Sequence, residues 1–281
     1  MIIPLTGASH TGKTFLAKLL FPWILFGIYL IGYFVNSVVI KNQSLSWLWI
    51  DVFSLAVSII ILARHRFPRK KSLLISAIIV TIFLISNLYI FNLFTIIQGI
   101  ILFLASTASC SVFEKYSEES LKWIKGKKKT DVLLSVLIGI AVGLIWGAIN
   151  YFLMKGSNVI VKADVLKAFV YALNPATMEE VALRTVFYAF CLSCASGRLE
   201  SKKQRFTAWF MMIIPHIIPH LTFDISNGIS GVIMWFIYLA LYIVIFGFIF
   251  AFLQKKRDIT SAMIAHGIVD LIRFVLFGVP G

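Results

Sequence analysis

The run ATMEEVALRTVFYAF, residues 176–190, carries Glu179, Glu180 and Arg184 within an otherwise oily segment. Two later apolar runs carry His216 and His220, then His266 and Asp270. An ionisable group in hydrocarbon costs roughly 2.5–3.5 kcal/mol on insertion scales. Such groups therefore face a bundle interior or water, and they mark function. Of the 12 acidic residues, only Asp51, Glu179, Glu180 and Asp270 fall well inside apolar runs, so the candidate list is short. Glu180 and Arg184 are four apart and share a helix face, where pairing lowers the cost of burying each charge. Glu179, one residue earlier, points about 100° away, which leaves it free for chemistry. His266 and Asp270 have the same four-residue spacing. His216 and His220 share this spacing, but Pro215 and Pro219 interrupt their helix and free carbonyls that neighbours or water must satisfy. Asn174-Pro175 predicts a break, and Thr177-x-x-Glu180 then fits a capping box opening a second helical piece. A carboxylate beside a histidine can activate water as a general base, and neighbouring donors can stabilise an oxyanion. The same side chains could instead hold zinc with an open water position, with His220, His266, Glu179 and Asp270 as candidate ligands. No H-E-x-x-H helix occurs.

The elements that position these residues are membrane helices. Hydrophobic residues make up 60% of the chain and charged ones 14%, against about 25% charged in soluble domains. Apolar runs long enough to cross a bilayer core of about 30 Å recur throughout. The expected spans are 19–40, 46–63, 72–91, 94–113, 131–154, 165–196, 206–223, 229–253 and 259–278. The fold class is thus all-α, a polytopic transmembrane bundle of eight to nine spans. If the spans alternate, 20 of the 26 Lys and Arg residues fall on one side, which assigns that side and the N-terminus to the cytoplasm. The net charge of +14 is then juxtamembrane and sets topology, with anionic lipid as its partner rather than nucleic acid. The expected division is a cytoplasmic leader (1–18), N-terminal helices (19–130) and a core (131–281) with its motifs within 165–278. Gly7–Thr14 matches the phosphate-loop pattern G-x-x-x-x-G-K-S/T, but a span follows at once and leaves no room for the α/β sheet that loop serves. No bound nucleotide is expected. Cys191-x-x-Cys194 lies in an apolar helix and reads as packing rather than redox. Asp51, after Trp47 and Trp49, reads as structural and near the outer interface.

Glu179-Glu180-x-x-x-Arg184, a histidine in the next span and His266-x-x-x-Asp270 in the last resemble the CAAX-protease and bacteriocin-processing (CPBP, or Abi) family of intramembrane proteases. Its motifs are EExxxR, FxxxH and HxxxN/D, in that order. The resemblance implies that Glu179 activates water with the second-motif histidine assisting. His266 and Asp270 would line the oxyanion site, and Glu180 with Arg184 would organise the helix. The substrate would be a peptide or membrane-anchored protein, and both metal-free and metal-dependent descriptions of the family exist. Two departures stand out. No phenylalanine lies four residues before either histidine; His220 is favoured by its longer hydrophobic approach from Arg205, with His216 the alternative. Asp270 stands where asparagine is common, and an ionised aspartate cannot donate to an oxyanion. The alternatives to an endopeptidase are a non-catalytic scaffold or bacteriocin-immunity protein, and a proton-coupled transporter.

Overall fold

The computed structural model describes residues 10–156, 164–223 and 226–278. The Gly7 end of the phosphate-loop match lies outside these residues. Among the described residues the chain is helical and contains no strand. Helix α1 (His10–Val35) ends in a π-helical turn (Asn36–Ile40) and leads to α2 (Gln43–Arg64), α3 (Lys70–Ser86) and α4 (Leu93–Lys115). Helix α5 (Lys129–Met154) is followed by α6 (Val165–Thr177), which runs through a π-helical segment (Met178–Thr185) into α7 (Val186–Cys194). Helix α8 (Lys202–Ile217) tightens into a 3₁₀ turn (Ile218–His220). Helix α9 (Gly228–Tyr242) passes through a second π segment (Ile243–Gly247) into α10 (Phe248–Lys256), and α11 (Ile259–Phe277) closes the bundle.

Short polar residues start several of these helices. Asn42, Asn92, Asp164, Ser201 and Asp258 accept bonds from first-turn amides that have no partner inside the helix. Among the described residues six helices are long and apolar enough to cross a membrane: Leu20–Ile40, Gln43–Arg64, Leu93–Lys115, Lys129–Met154, Gly228–Lys256 and Ile259–Phe277. The protein is therefore a multi-pass α-helical membrane bundle. The other three expected spans correspond to α3, the α6–α7 path and α8, which are shorter or more polar.

The α6–α7 path is the axis of the fold. Every residue from 180 to 192 is buried, which suits a helix that is apolar on all sides yet carries charge at one level. Helices α1, α2, α4 and α8 pack around α7, and α11 packs on α6. Helix α11 in turn lies along α5 on a ridge of small residues. Gly139, Gly143 and Gly147 recur every fourth position and face Ile264, Ile268 and Ile272, also four apart. A Cβ added at Gly143 would lie 2.7 Å from the Ile268 Cβ. In lipid such close approach replaces the hydrophobic effect as the cause of helix association, because dispersion contacts grow as backbones draw near. The spacing was visible in the sequence as G-x-x-x-G-x-x-x-G.

The expected break at Asn174-Pro175 is absent. Pro175 lies inside α6, and Thr177 is helical rather than a cap. The Thr177 hydroxyl donates to the carbonyls of Leu173 (2.8 Å) and Asn174 (3.0 Å), covering acceptors where the helix changes pitch. The chain widens into a π segment instead of stopping, so Glu180 does not act as a capping residue.

Substituting Gly143 by Leu should wedge α5 from α11 and lower stability by about 1–3 kcal/mol, the usual cost of overpacking. Thermal melting in detergent reads this, and an unchanged melting temperature would contradict the seam.

Candidate active site

The π segment sets the geometry. Its i→i+5 pattern leaves carbonyls poorly covered by their own helix, and neighbours cover them. Glu180 O accepts from Thr185 Oγ1 (2.7 Å) and Gln254 Nε2 (3.0 Å), and Ala182 O accepts from Ser54 Oγ (2.6 Å). The second π segment is treated alike: Gly247 O accepts from Arg184 Nη1 (2.9 Å), and Ile245 O accepts from Trp146 Nε1. The two irregular turns thus meet through Arg184.

Glu180 is fully buried. Its Oε1 accepts from Arg184 Nε (2.9 Å) and from His266 Nδ1 (2.6 Å), and its Oε2 accepts from Gln254 Nε2 (2.7 Å). Charge-assisted bonds to both oxygens are what make a buried carboxylate tolerable. Phe250, on α10 one turn before Gln254, stacks on His266 with ring centroids 4.5 Å apart, and Arg184 lies over its ring at 5.6 Å. These contacts fix the imidazole and the guanidinium together.

Glu179 faces a different set of groups. Its Oε2 lies 2.5 Å from His216 Nε2, 3.6 Å from His266 Nε2 and 3.8 Å from His220 Nε2. The 3₁₀ turn after α8 brings the two α8-side histidines close, with Nε2 atoms 3.5 Å apart. His216 therefore makes the direct bond to Glu179, where the sequence favoured His220. The His220 side chain remains 27% exposed, which places it at the rim of the site. Trp47 meets its ring edge-on at 4.7 Å. Asp270 Oδ2 stands 3.4 Å from His266 Nε2, and its Oδ1 lies 3.7 Å from Arg273 Nη1. So Glu179, Glu180, Arg184, His216, His220, His266 and Asp270 form one connected group.

The proline interruption that the sequence flagged is resolved by side chains of the N-terminal helices. Pro219 lacks the N–H that Pro215 O would accept from in a regular helix, and Tyr29 OH donates there instead (2.9 Å). Tyr33 OH covers Leu221 O (2.6 Å), and Gln43 Nε2 covers Pro219 O (3.2 Å). Gln43, Trp47 and Ser54 lie along α2, so that helix buttresses both the π segment and the 3₁₀ turn. Asp51, on the same helix, is buried and accepts from Gln98 Nε2 of α4 (2.9 Å), a structural contact between α2 and α4.

Sequence reasoning did not single out Gln254, Phe250, Thr185, Tyr29 or Gln43. Gln254 adjoins the basic run 255–257 and looks like a loop residue there. The others are ordinary residue types for membrane helices.

A donor set for a metal can be tested on these atoms. One oxygen of Glu179 and one nitrogen each of His216 and His220 lie within 4.8 Å of one another, the composition of a three-ligand catalytic zinc site. His266 Nδ1 is committed to Glu180, and Asp270 is not part of this triplet. Ligating histidines almost always donate their second N–H, yet His216 Nδ1 is buried without a partner. A bare lone pair at Nδ1, with Nε2–H donating to Glu179, leaves less unsatisfied than the reverse tautomer.

A bundle of membrane helices with a buried carboxylate–histidine cluster defines a class, and comparison with known proteins adds a family resemblance over part of the chain. Residues 161–272 match the family described as type II CAAX prenyl endopeptidase Rce1-like. The match runs from just before α6 into α11 and leaves α1–α5 outside it. It agrees with the CPBP resemblance, and it supports a CAAX-type intramembrane protease in general. No curated protein and no solved structure matches the chain.

Replacing Arg184 by Met would strand the Glu180 carboxylate and should cost about 3–5 kcal/mol. Replacing Tyr29 by Phe would uncover Pro215 O and should cost about 1–3 kcal/mol. Chemical or thermal unfolding in detergent measures both, and equal stability of Arg184→Met and wild type would refute the pair's structural role.

Proposed function

We propose that the protein is a CAAX-type intramembrane endopeptidase in which Glu179 activates the attacking water. The observation that carries this reading is the division of labour between adjacent glutamates. Glu180 is fully bound by Arg184, Gln254 and His266, whereas among the described residues Glu179 pairs with histidines and keeps some exposure. His216 Nε2–H holds Glu179 Oε2, and we assign proton abstraction from water to the remaining oxygen. The proton then passes to the leaving amine, as general acid–base catalysis requires. His266 presents both ring nitrogens to carboxylates, Glu180 on one side and Asp270 with Glu179 on the other. The imidazolium serves both sides at once and offers Nε2–H to a developing oxyanion. Asp270 acts on this ring as a positioning residue, so it need not itself donate to the oxyanion.

The substrate in this reading is a membrane-associated protein or peptide, cut near a membrane face. The site residues lie within the core at 131–281, and helices within 19–130 buttress it. The protein resides in the cell membrane with its N-terminus cytoplasmic, as the distribution of Lys and Arg supports.

The Glu179–His216–His220 triplet favours one second reading, a zinc-assisted hydrolase. A bound zinc would lower the pKa of a water, with Glu179 and the two histidines as its holders. Stoichiometric zinc in the purified protein, lost on His220→Ala, would support that version.

Glu179→Gln is isosteric and should reduce cleavage by roughly 100-fold or more, the scale of a lost general base. Its melting temperature should match wild type. Full cleavage by this variant would sink the assignment.

A further inference from the structure

Helices α2 and α4 end together, at Arg64 and Lys115, and both qualify as membrane spans. Their ends therefore mark one interface level. Between them, beneath the loop that leads to α3, lies a cavity of about 680 Å³ lined by Arg64, His65, Arg66, Phe67, Arg69, Ser111, Glu114 and Lys115. Four cations share this space with one carboxylate.

That carboxylate is already engaged. Both Glu114 oxygens accept from the Arg69 amide at 3.1 Å, and Ser72 Oγ donates to Oε1 at 2.5 Å, so Glu114 caps the start of α3. The Arg69 side chain only grazes it, at 4.0 Å. Among the described residues no carboxylate lies within 4 Å of the Arg64 or Arg66 guanidinium. His65 holds Ser193 Oγ through Nε2 (2.6 Å), while its Nδ1 is buried with no partner. Burial, with Lys115 and Arg64 beside it, lowers the His65 pKa from its ordinary value. Arg66 and Arg69 are exposed, and Phe67 is 62% exposed between them, an apolar group at interface level.

We propose that this cavity binds the phosphoryl group of an anionic phospholipid, with the Arg66 and Arg69 guanidiniums as its donors. Guanidinium forks match phosphate oxygens, and basic pockets between helix ends at the membrane surface suit anionic headgroups. Phe67 lies where it contacts the adjoining glycerol and acyl region. A free phosphate has the same anionic chemistry, but it would gain nothing from Phe67 or from the interface level. The site lies outside the Rce1-like segment and does not depend on the hydrolytic reading.

The test uses the full-length protein in mixed micelles of neutral detergent. Phosphatidylglycerol, phosphatidylcholine or inorganic phosphate is titrated, and the melting temperature is followed. The proposal expects saturable stabilisation by phosphatidylglycerol alone. In Arg66→Gln/Arg69→Gln the apparent affinity should fall about tenfold or more, the scale of two juxtamembrane charges. In the control Lys127→Gln/Lys128→Gln it should not change. Both tested arginines are exposed, and the Arg66 carbonyl and Arg69 amide keep their bonds in the variant, so folding is retained. Equal losses in the two double variants would show a general surface-charge effect and overturn the site. Stabilisation by phosphatidylcholine to the same degree would also overturn it. Inorganic phosphate acting as well as the lipid would assign the site to free phosphate and overturn the lipid identity.

Discussion

The fold depends on one buried ion pair, Glu180 with Arg184. Both side chains are wholly inaccessible, and the pair lies inside a helix that has widened to a π pattern. A buried pair of this kind earns little net stability by itself, since desolvation offsets most of the attraction. What it does here is specify. The pair draws Gln254 and Gly247 of the α9–α10 path and His266 of α11 onto the same turn, so three separate stretches of chain share one register. The π segment makes this affordable in lipid, because the carbonyls it exposes become the acceptors for Thr185, Gln254 and Ser54.

From that constraint the site follows. With Glu180 fully occupied, the adjacent Glu179 is pushed to the other side of the turn, where α8 presents His216 and His220. Helix α8 can do so because its end tightens into the 3₁₀ turn that contains Pro219; Tyr29 covers the Pro215 carbonyl that Pro219 leaves without an N–H, and Tyr33 and Gln43 cover the Leu221 and Pro219 carbonyls where the helix ends. The N-terminal helices, which lie outside the Rce1-like segment, are therefore part of the scaffold of the candidate site rather than an appendage. The glycine ridge on α5 acts on the opposite flank and holds α11, with His266 and Asp270, against the axis.

Much of this was legible in the sequence because membrane burial makes polarity conspicuous. Glu179, Glu180, Arg184, His266 and Asp270 stand out against oily neighbours, and four-residue spacing alone places Glu180 with Arg184 on one face. The class of fold was equally legible from run length. The π segments were not, since nothing in MEEVALRT or IVIFG distinguishes a widened turn from a regular one. The Asn174-Pro175 pair pointed to a break, but the burial of the path from Ala176 onward and the Thr177 hydroxyl outweighed the local preference. The closer approach of His216 than of His220 to Glu179 was not legible, because hydrophobic approach says little once a 3₁₀ turn changes the pitch. Gln254 was hidden by its basic neighbours, and nothing in the sequence pairs Asp51 with Gln98.

The most direct measurement is cleavage of a farnesylated CAAX peptide by the purified protein in nanodiscs made up in ¹⁸O-water, with both fragments weighed by mass spectrometry. The account predicts two fragments cut at one bond, with ¹⁸O in the new carboxylate of the lipid-bearing piece. Intact peptide, from protein shown to be folded, would contradict it.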